Sequence, residues 1–132
     1  MTEDLLTIRQ MCDLFEVTPR TLRFYEAKEL IAPRRDGQRR LYSRRDRARL
    51  TLILRGKRFG FSLEEIRKLL DLYSRDDGQA TQLAESYRAA ERHLADLETR
   101  RAELDQVIDD LRAQMAWGRE MLARLHRRTA AE

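Results

Sequence analysis

The sequence predicts a mainly all-α protein with a small β-wing. It is read as a winged helix-turn-helix domain followed by one long helix that forms a coiled coil. Three observations predict this. The segment TPRTLRFYE, Thr18 to Glu26, starts a second short helix just after a first. The stretch IAPRRDGQRRLYS has the character of a basic hairpin. From Leu83 onward, apolar residues recur in alternating steps of four and three.

The elements follow in order. Leu6 to Glu16 carries Ile8, Met11, Cys12 and Phe15 at helical spacing, with Thr7 as N-cap. Cys12 lies on that apolar stripe and reads as a structural thiol. Val17-Thr18 makes a short turn. Thr18 caps the second helix, and Pro19 falls at its first position, where a missing N–H costs nothing. This helix runs to about Lys28. Leu22 and Phe24 are expected to hold it to the domain while Arg20, Arg23 and Tyr25 face outward. Two short helices joined by so short a turn form a helix-turn-helix candidate.

Pro33 then stops helix formation, and Asp36-Gly37 is a hairpin-turn dipeptide. The flanks suit a two-stranded wing bearing Arg34, Arg35, Arg39 and Arg40. Ser43 caps a third helix to about Lys57, with Leu50, Ile53 and Leu54 inward. Phe59-Gly60-Phe61 interrupts it. Ser62 and Glu65 form a capping box, opening a fourth helix with Ile66, Leu69, Leu70 and Tyr73 inward.

The pattern divides the chain into a winged helix-turn-helix domain at 1–73, a polar linker at 74–82, a dimerisation helix at 83–117 and a short C-terminal helix and tail at 118–132. On the long helix the seam takes in Leu83, Tyr87, Leu94, Leu97, Leu104, Ile108, Leu111 and Met115, then Leu122 and Leu125. Ala90 fits it; Arg101 and Gly118 interrupt it. Such a narrow stripe needs a partner helix, and a second copy of the same helix is the natural one. Two roles fit Arg101: fixing the register of the pair, or packing its stem while its head reaches Glu98 or Asp105. Gly118 is expected to end the long helix, leaving a short helix folded back on the dimer.

Charge supports the same division. Residues 1–60 hold 15 Lys/Arg against 8 Asp/Glu, whereas residues 61–132 hold 12 against 15. A basic front half fits a polyanionic partner. No apolar run is long enough to span a bilayer, and MTEDLLTIRQ lacks a signal-type core, so a cytoplasmic protein without membrane contact is expected. A single cysteine allows no internal disulfide. No nucleophile–base pair, phosphate loop or metal cluster appears, so an enzyme is not expected.

The order of TPRTLRFYE, an arginine-rich wing ending RRLYS, and GFSLEEIRKLL resembles the MerR family of bacterial transcriptional regulators. The motifs span about residues 6–73. The resemblance implies a homodimer joined by an antiparallel coiled coil. It implies a palindromic operator in double-stranded promoter DNA, bent and untwisted so that RNA polymerase can engage. By motif, Arg20, Arg23 and Tyr25 would meet DNA from the recognition helix, Arg40 and Tyr42 from the wing, and Lys57 or Arg58 just before GF; for Tyr25 and Tyr42 the alternative is a ring packed on the domain edge, which still allows the hydroxyl to reach a phosphate. Arg39 departs from many members, which carry an uncharged or aromatic residue there. A dimeric DNA-architectural protein resembling excisionases is the alternative, and so is a regulator without an effector.

Metal-sensing members resembling this chain use cysteines that Ser74–Gln82 and Gly118–Glu132 lack, and His93 and His126 form no cluster. No metal or cofactor is therefore expected, nor is there room for a large effector domain. Tyr87, Trp117 and Met121 are candidates for a small effector site; for Trp117 the alternative is core or dimer interface.

Overall fold

The computed structural model describes residues 4–72 and 79–131. The elements run β1 (Leu6–Thr7), α1 (Ile8–Phe15), α2 (Pro19–Ala27), β2 (Arg34–Asp36), β3 (Arg39–Tyr42), α3 (Arg44–Arg58), α4 (Leu63–Leu72) and α5 (Gln79–Ala131). The chain divides into two units, Met1–Glu91 and Arg92–Glu132.

In the first unit each short helix starts where a polar side chain can satisfy an orphan N–H. Thr7 caps α1 in a reciprocal box with Gln10. Thr18 accepts from the Thr21 N–H, with Pro19 following it. Ser43 and Asp46 form the box that opens α3, and Ser62 with Glu65 the one that opens α4. Between α1 and α2, Glu16 adopts the left-handed region at φ 56°, and its N–H returns to the Cys12 carbonyl. That one residue makes the turn tight.

The sheet has three strands in the order β1-β3-β2, all antiparallel. Leu6 pairs with Tyr42, so the N-terminus forms a strand against the wing before α1 begins. The apolar spacing predicts a helix from Leu6, whereas the helix starts at Ile8. Asp36 pairs with Arg39, which makes Gly37-Gln38 the two-residue turn in place of the expected Asp36-Gly37. Gly37 has φ +64°, the sign a two-residue hairpin requires at this position.

The core of this unit is Met11, Leu22, Tyr25, Leu30, Ile31, Tyr42, Leu50, Ile53, Ile66 and Leu70. The expected inward faces of α3 and α4 are found, with Leu54 and Leu69 only partly covered. Helices α3 and α4 meet at Gly56, where an added Cβ would lie 3.0 Å from Ile66 Cγ1. One charged side chain is buried among the described residues: Asp46, 4% exposed. Its Oδ1 accepts from the Ala32 N–H at 3.0 Å, and its Oδ2 from the Ser43 N–H at 3.1 Å and hydroxyl at 3.2 Å. Asp46 thus fastens the start of α3 to the segment that leads into the wing.

The second unit is helical throughout its described length, as part of α5. Two expectations change here. Gln79–Gln82 belong to the helix and not to the linker, while Ser74–Gly78 and Tyr73 lie outside the described residues. Gly118 does not end the helix, which continues to Ala131. One glycine costs a helix interior about 1 kcal/mol, too little to break it between good helix formers. Leu83, Tyr87, Leu94, Leu97, Leu104, Ile108, Leu111, Met115, Leu122 and Leu125 are all exposed, between 42% and 66%.

Candidate nucleic-acid interface

Helix α2 presents two faces. Leu22 and Tyr25, three apart, point into the core. Arg20, Arg23, Phe24, Ala27 and Lys28 recur at helical spacing on the exposed side. Arg20 and Arg23 make no hydrogen bond or ion pair among the described residues, so their guanidinium groups remain available. The expected roles of two aromatics are reversed. Phe24, expected inward, is 44% exposed, and Lys28 Nζ lies 5.6 Å from its ring centroid. Tyr25, expected outward, is fully buried. The i,i+3 relation to Leu22 was the signal that could have revealed this.

Two neighbouring elements meet α2. At the C-terminal end of α3, Lys57 Nζ stands 5.8 Å from the centroid of the Tyr25 ring, an attraction of ammonium to a π-face. Lys57 and Arg58 are both exposed. From the wing, Arg40 Nε donates to Glu26 Oε2 at 2.7 Å and Arg35 Nη2 to Glu26 Oε1 at 3.3 Å. Glu26 therefore holds two wing arginines against α2. Arg40, expected to meet DNA, has its charge engaged within the protein. Arg39 remains exposed.

Tyr42, the other expected wing contact, is fully buried, and its hydroxyl, like that of Tyr25, has no hydrogen-bond partner among the described residues. Burial, reinforced by the nearby Glu26 carboxylate, pushes the Tyr42 phenol up to about 12. Covering a large ring outweighs one unpaired hydroxyl, so both tyrosines serve as core and not as surface. Burial likewise pulls Arg49 below its ordinary range, while its Nε donates to the Leu30 carbonyl at 2.6 Å. Arg67 donates to the Lys28 carbonyl. These bonds fix the segment after α2. Burial also raises the Cys12 thiol, as suits a structural role.

No group of three or more His, Cys, Asp or Glu among the described residues could hold a metal ion, and no described helix is long and apolar enough to cross a membrane. Tyr87 lines an open concavity of α5 with Ala80, Leu83, Ala84, Arg88 and Glu91. Trp117 and Met121 do not line it; Trp117 is 61% exposed.

A family profile described as "MerR HTH family regulatory protein" matches residues 6–73, and one described as "MerR, DNA binding" matches residues 47–114. The HTH-type transcriptional regulator ZntR of Escherichia coli K12 is 36% identical over 102 residues, 76% of this chain and 71% of ZntR. The chain belongs to the MerR family. The HTH-type transcriptional regulator CueR of Escherichia coli O6:H1 (strain CFT073) is 30% identical over 114 residues, covering 82% of this chain and 74% of CueR. Among solved structures, a MerR-family regulator from Bacillus cereus superposes with a TM-score of 0.61 at 25% identity, covering 80% of this chain and 78% of that one. HiNmlR, a MerR-family regulator lacking the sensor domain and bound to promoter DNA, superposes at 0.62 with 23% identity, covering 80% and 79%. This MerR-family chain is thus a DNA-binding transcription regulator, and its named relatives are regulators and not enzymes.

Proposed function

We propose that this MerR-family regulator binds a palindromic promoter operator as a homodimer and acts by bending and untwisting it for RNA polymerase. The observation that carries the reading is the outward face of α2. Its arginines are unpaired, and it is flanked by the Glu26-held wing and by the Lys57–Arg58 corner. Arg20, nearest the helix start, reads a guanine edge in the major groove, because a guanidinium bridges O6 and N7. Arg23, Arg39, Lys57 and Arg58 grip phosphates. Phe24 is placed to touch a thymine methyl. Tyr25 and Tyr42 support this surface from within. Many backbone clamps per half-site are what reading by DNA deformation requires. The exposed seam of α5 supplies the dimer contact.

The test compares Arg20→Ala with the parent protein on its operator and on random duplex, at one salt concentration. Operator affinity should fall roughly 10- to 100-fold, the range of one lost bidentate base contact, and random-duplex affinity much less. Equal loss on both duplexes would remove the base-reading role.

A further inference from the structure

The carboxyl end of α2 is strained and held from outside. We propose that Arg67 of α4 is a positioning residue for sequence reading. By clasping the Lys28 carbonyl it fixes the end of α2, and so the placement of its outward face, Arg20 foremost, against the bases. The proposal rests on the base-reading role given above to α2 and deepens it.

Helix α2 closes in a Schellman turn. The Leu30 N–H returns to the Tyr25 carbonyl at 3.0 Å, and the Glu29 N–H to the Glu26 carbonyl at 2.9 Å. That closure needs a left-handed residue, and Glu29 supplies it at φ 60°. Glycine takes this conformation freely, whereas a residue with a Cβ is strained in it. Such strain persists only where the surroundings over-determine the backbone. Here they do so on both sides of Glu29. Before it, Arg67 donates to the Lys28 carbonyl. After it, Arg49 Nε donates to the Leu30 carbonyl at 2.6 Å, and Asp46 takes the Ala32 N–H. A guanidinium suits this place, because the last carbonyls of a helix carry the negative end of its dipole.

The two arginines differ in what else holds their target. Leu30 and Ile31 are buried, so the core already fixes the chain beyond Glu29. Lys28, the C-cap of α2, is exposed, and Arg67 ties it to α4. Arg67 is therefore the bond on which the pitch of α2 depends. At 1.5 Å per residue, Arg20 stands about 12 Å along the helix from Lys28. A tilt of about 5° at the carboxyl end displaces Arg20 by about 1 Å. A bidentate guanine contact needs both donors within roughly 2.7–3.2 Å of their acceptors, so that displacement breaks it. Phosphate contacts carry no sequence information, so binding to an arbitrary duplex loses less.

The test measures affinity for two duplexes at one salt concentration. One is the operator selected by the parent protein from a random-sequence library; the other is a scrambled duplex of equal length. Arg67→Met keeps the packing stem and removes the donor. The operator-to-scrambled ratio should fall about tenfold, with scrambled affinity within about threefold of the parent. Arg67→Lys keeps a cationic donor and should recover most of the ratio. Glu29→Gly removes the strain, so adding it to Arg67→Met should restore the ratio, and also the fold if the single variant does not fold. Lys68→Met is a control for charge. It removes one positive charge beside Arg67, from an ammonium 3.8 Å from Glu85 Oε2, and should leave the ratio unchanged. An unchanged ratio in folded Arg67→Met, no recovery with Glu29→Gly, or an equal fall with Lys68→Met would overturn the positioning role. Arg20→Ala in the same assay separates this role from base reading. A ratio that falls with Arg20→Ala but not with Arg67→Met sinks the positioning role alone. A ratio that falls with Arg67→Met but not with Arg20→Ala removes Arg20 as reader and leaves Arg67 positioning another residue of α2.

Discussion

Replacing Asp46 by alanine should unfasten the wing from α3. The carboxylate takes three donors: the Ala32 N–H, the Ser43 N–H and the Ser43 hydroxyl. Hydrogen bonds to a charged group contribute about 1.5–3 kcal/mol each when buried, but two corrections reduce the total. The Ser43 groups are only partly covered, so water can replace the lost acceptor. Removing the side chain also relieves the desolvation of a carboxylate that is 4% exposed. The helix cap itself survives, because the Ser43 hydroxyl still accepts from the backbone N–H at position 46. A net loss of about 2–3 kcal/mol follows. Urea unfolding followed by circular dichroism should show a lower midpoint at unchanged slope. Asp46→Asn retains an acceptor for Ala32 but turns an NH2 group toward the Ser43 donors, and should lose at least half as much. If both variants unfold within about 0.5 kcal/mol of the parent, the carboxylate is not the fastening described here.

Three other outcomes are expected. Tyr42→Phe removes a buried hydroxyl without a partner, so stability at pH 7 should be unchanged or slightly higher. Its phenol, raised to about 12 in the folded chain, contributes stability that is complete below the unfolded value of about 10 and lost as pH rises toward 12. Parent and variant should therefore diverge by about 2 kcal/mol across that window in alkaline denaturation, and parallel curves would refute the assignment. Gly56→Val drives a branched side chain into Ile66 and should destabilise by about 1–3 kcal/mol, checked by thermal melting. Glu26→Gln frees Arg35 and Arg40; it should cost at most about 1 kcal/mol of stability, because both pairs are partly solvated. It should also steepen the dependence of log affinity for DNA on log salt by about one to two, and an unchanged slope would show that the arginines stay engaged.

What the sequence made legible follows from how local each signal is. The caps at Thr7, Thr18, Ser43 and Ser62 depend on neighbours three residues away, and all four are found. The apolar spacing of α3, α4 and α5 is likewise local. Strand β1 was not legible, because two residues of extended chain have no periodicity and exist only through pairing with β3. The inversion of Phe24 and Tyr25 had a local signal that was outweighed by the family motif. The Glu26 contact was hidden, since its arginines lie 9 and 14 residues away and nothing in their spacing announces it. Gly118 alone signals a helix end, yet α5 continues through it, because helix-favouring neighbours outweigh one glycine.

The bond from Glu26 to Arg35 and Arg40 also bears on how such regulators diversify. One carboxylate on α2 bonds two arginines of the hairpin. A chimaera given a new α2 without position 26 would lose both of these ion pairs to the hairpin. The segment from Thr18 to Tyr42 therefore contains both the helix and the hairpin arginines bonded to it. A designer seeking a new operator should graft that block whole, retaining position 26 as its internal reference point.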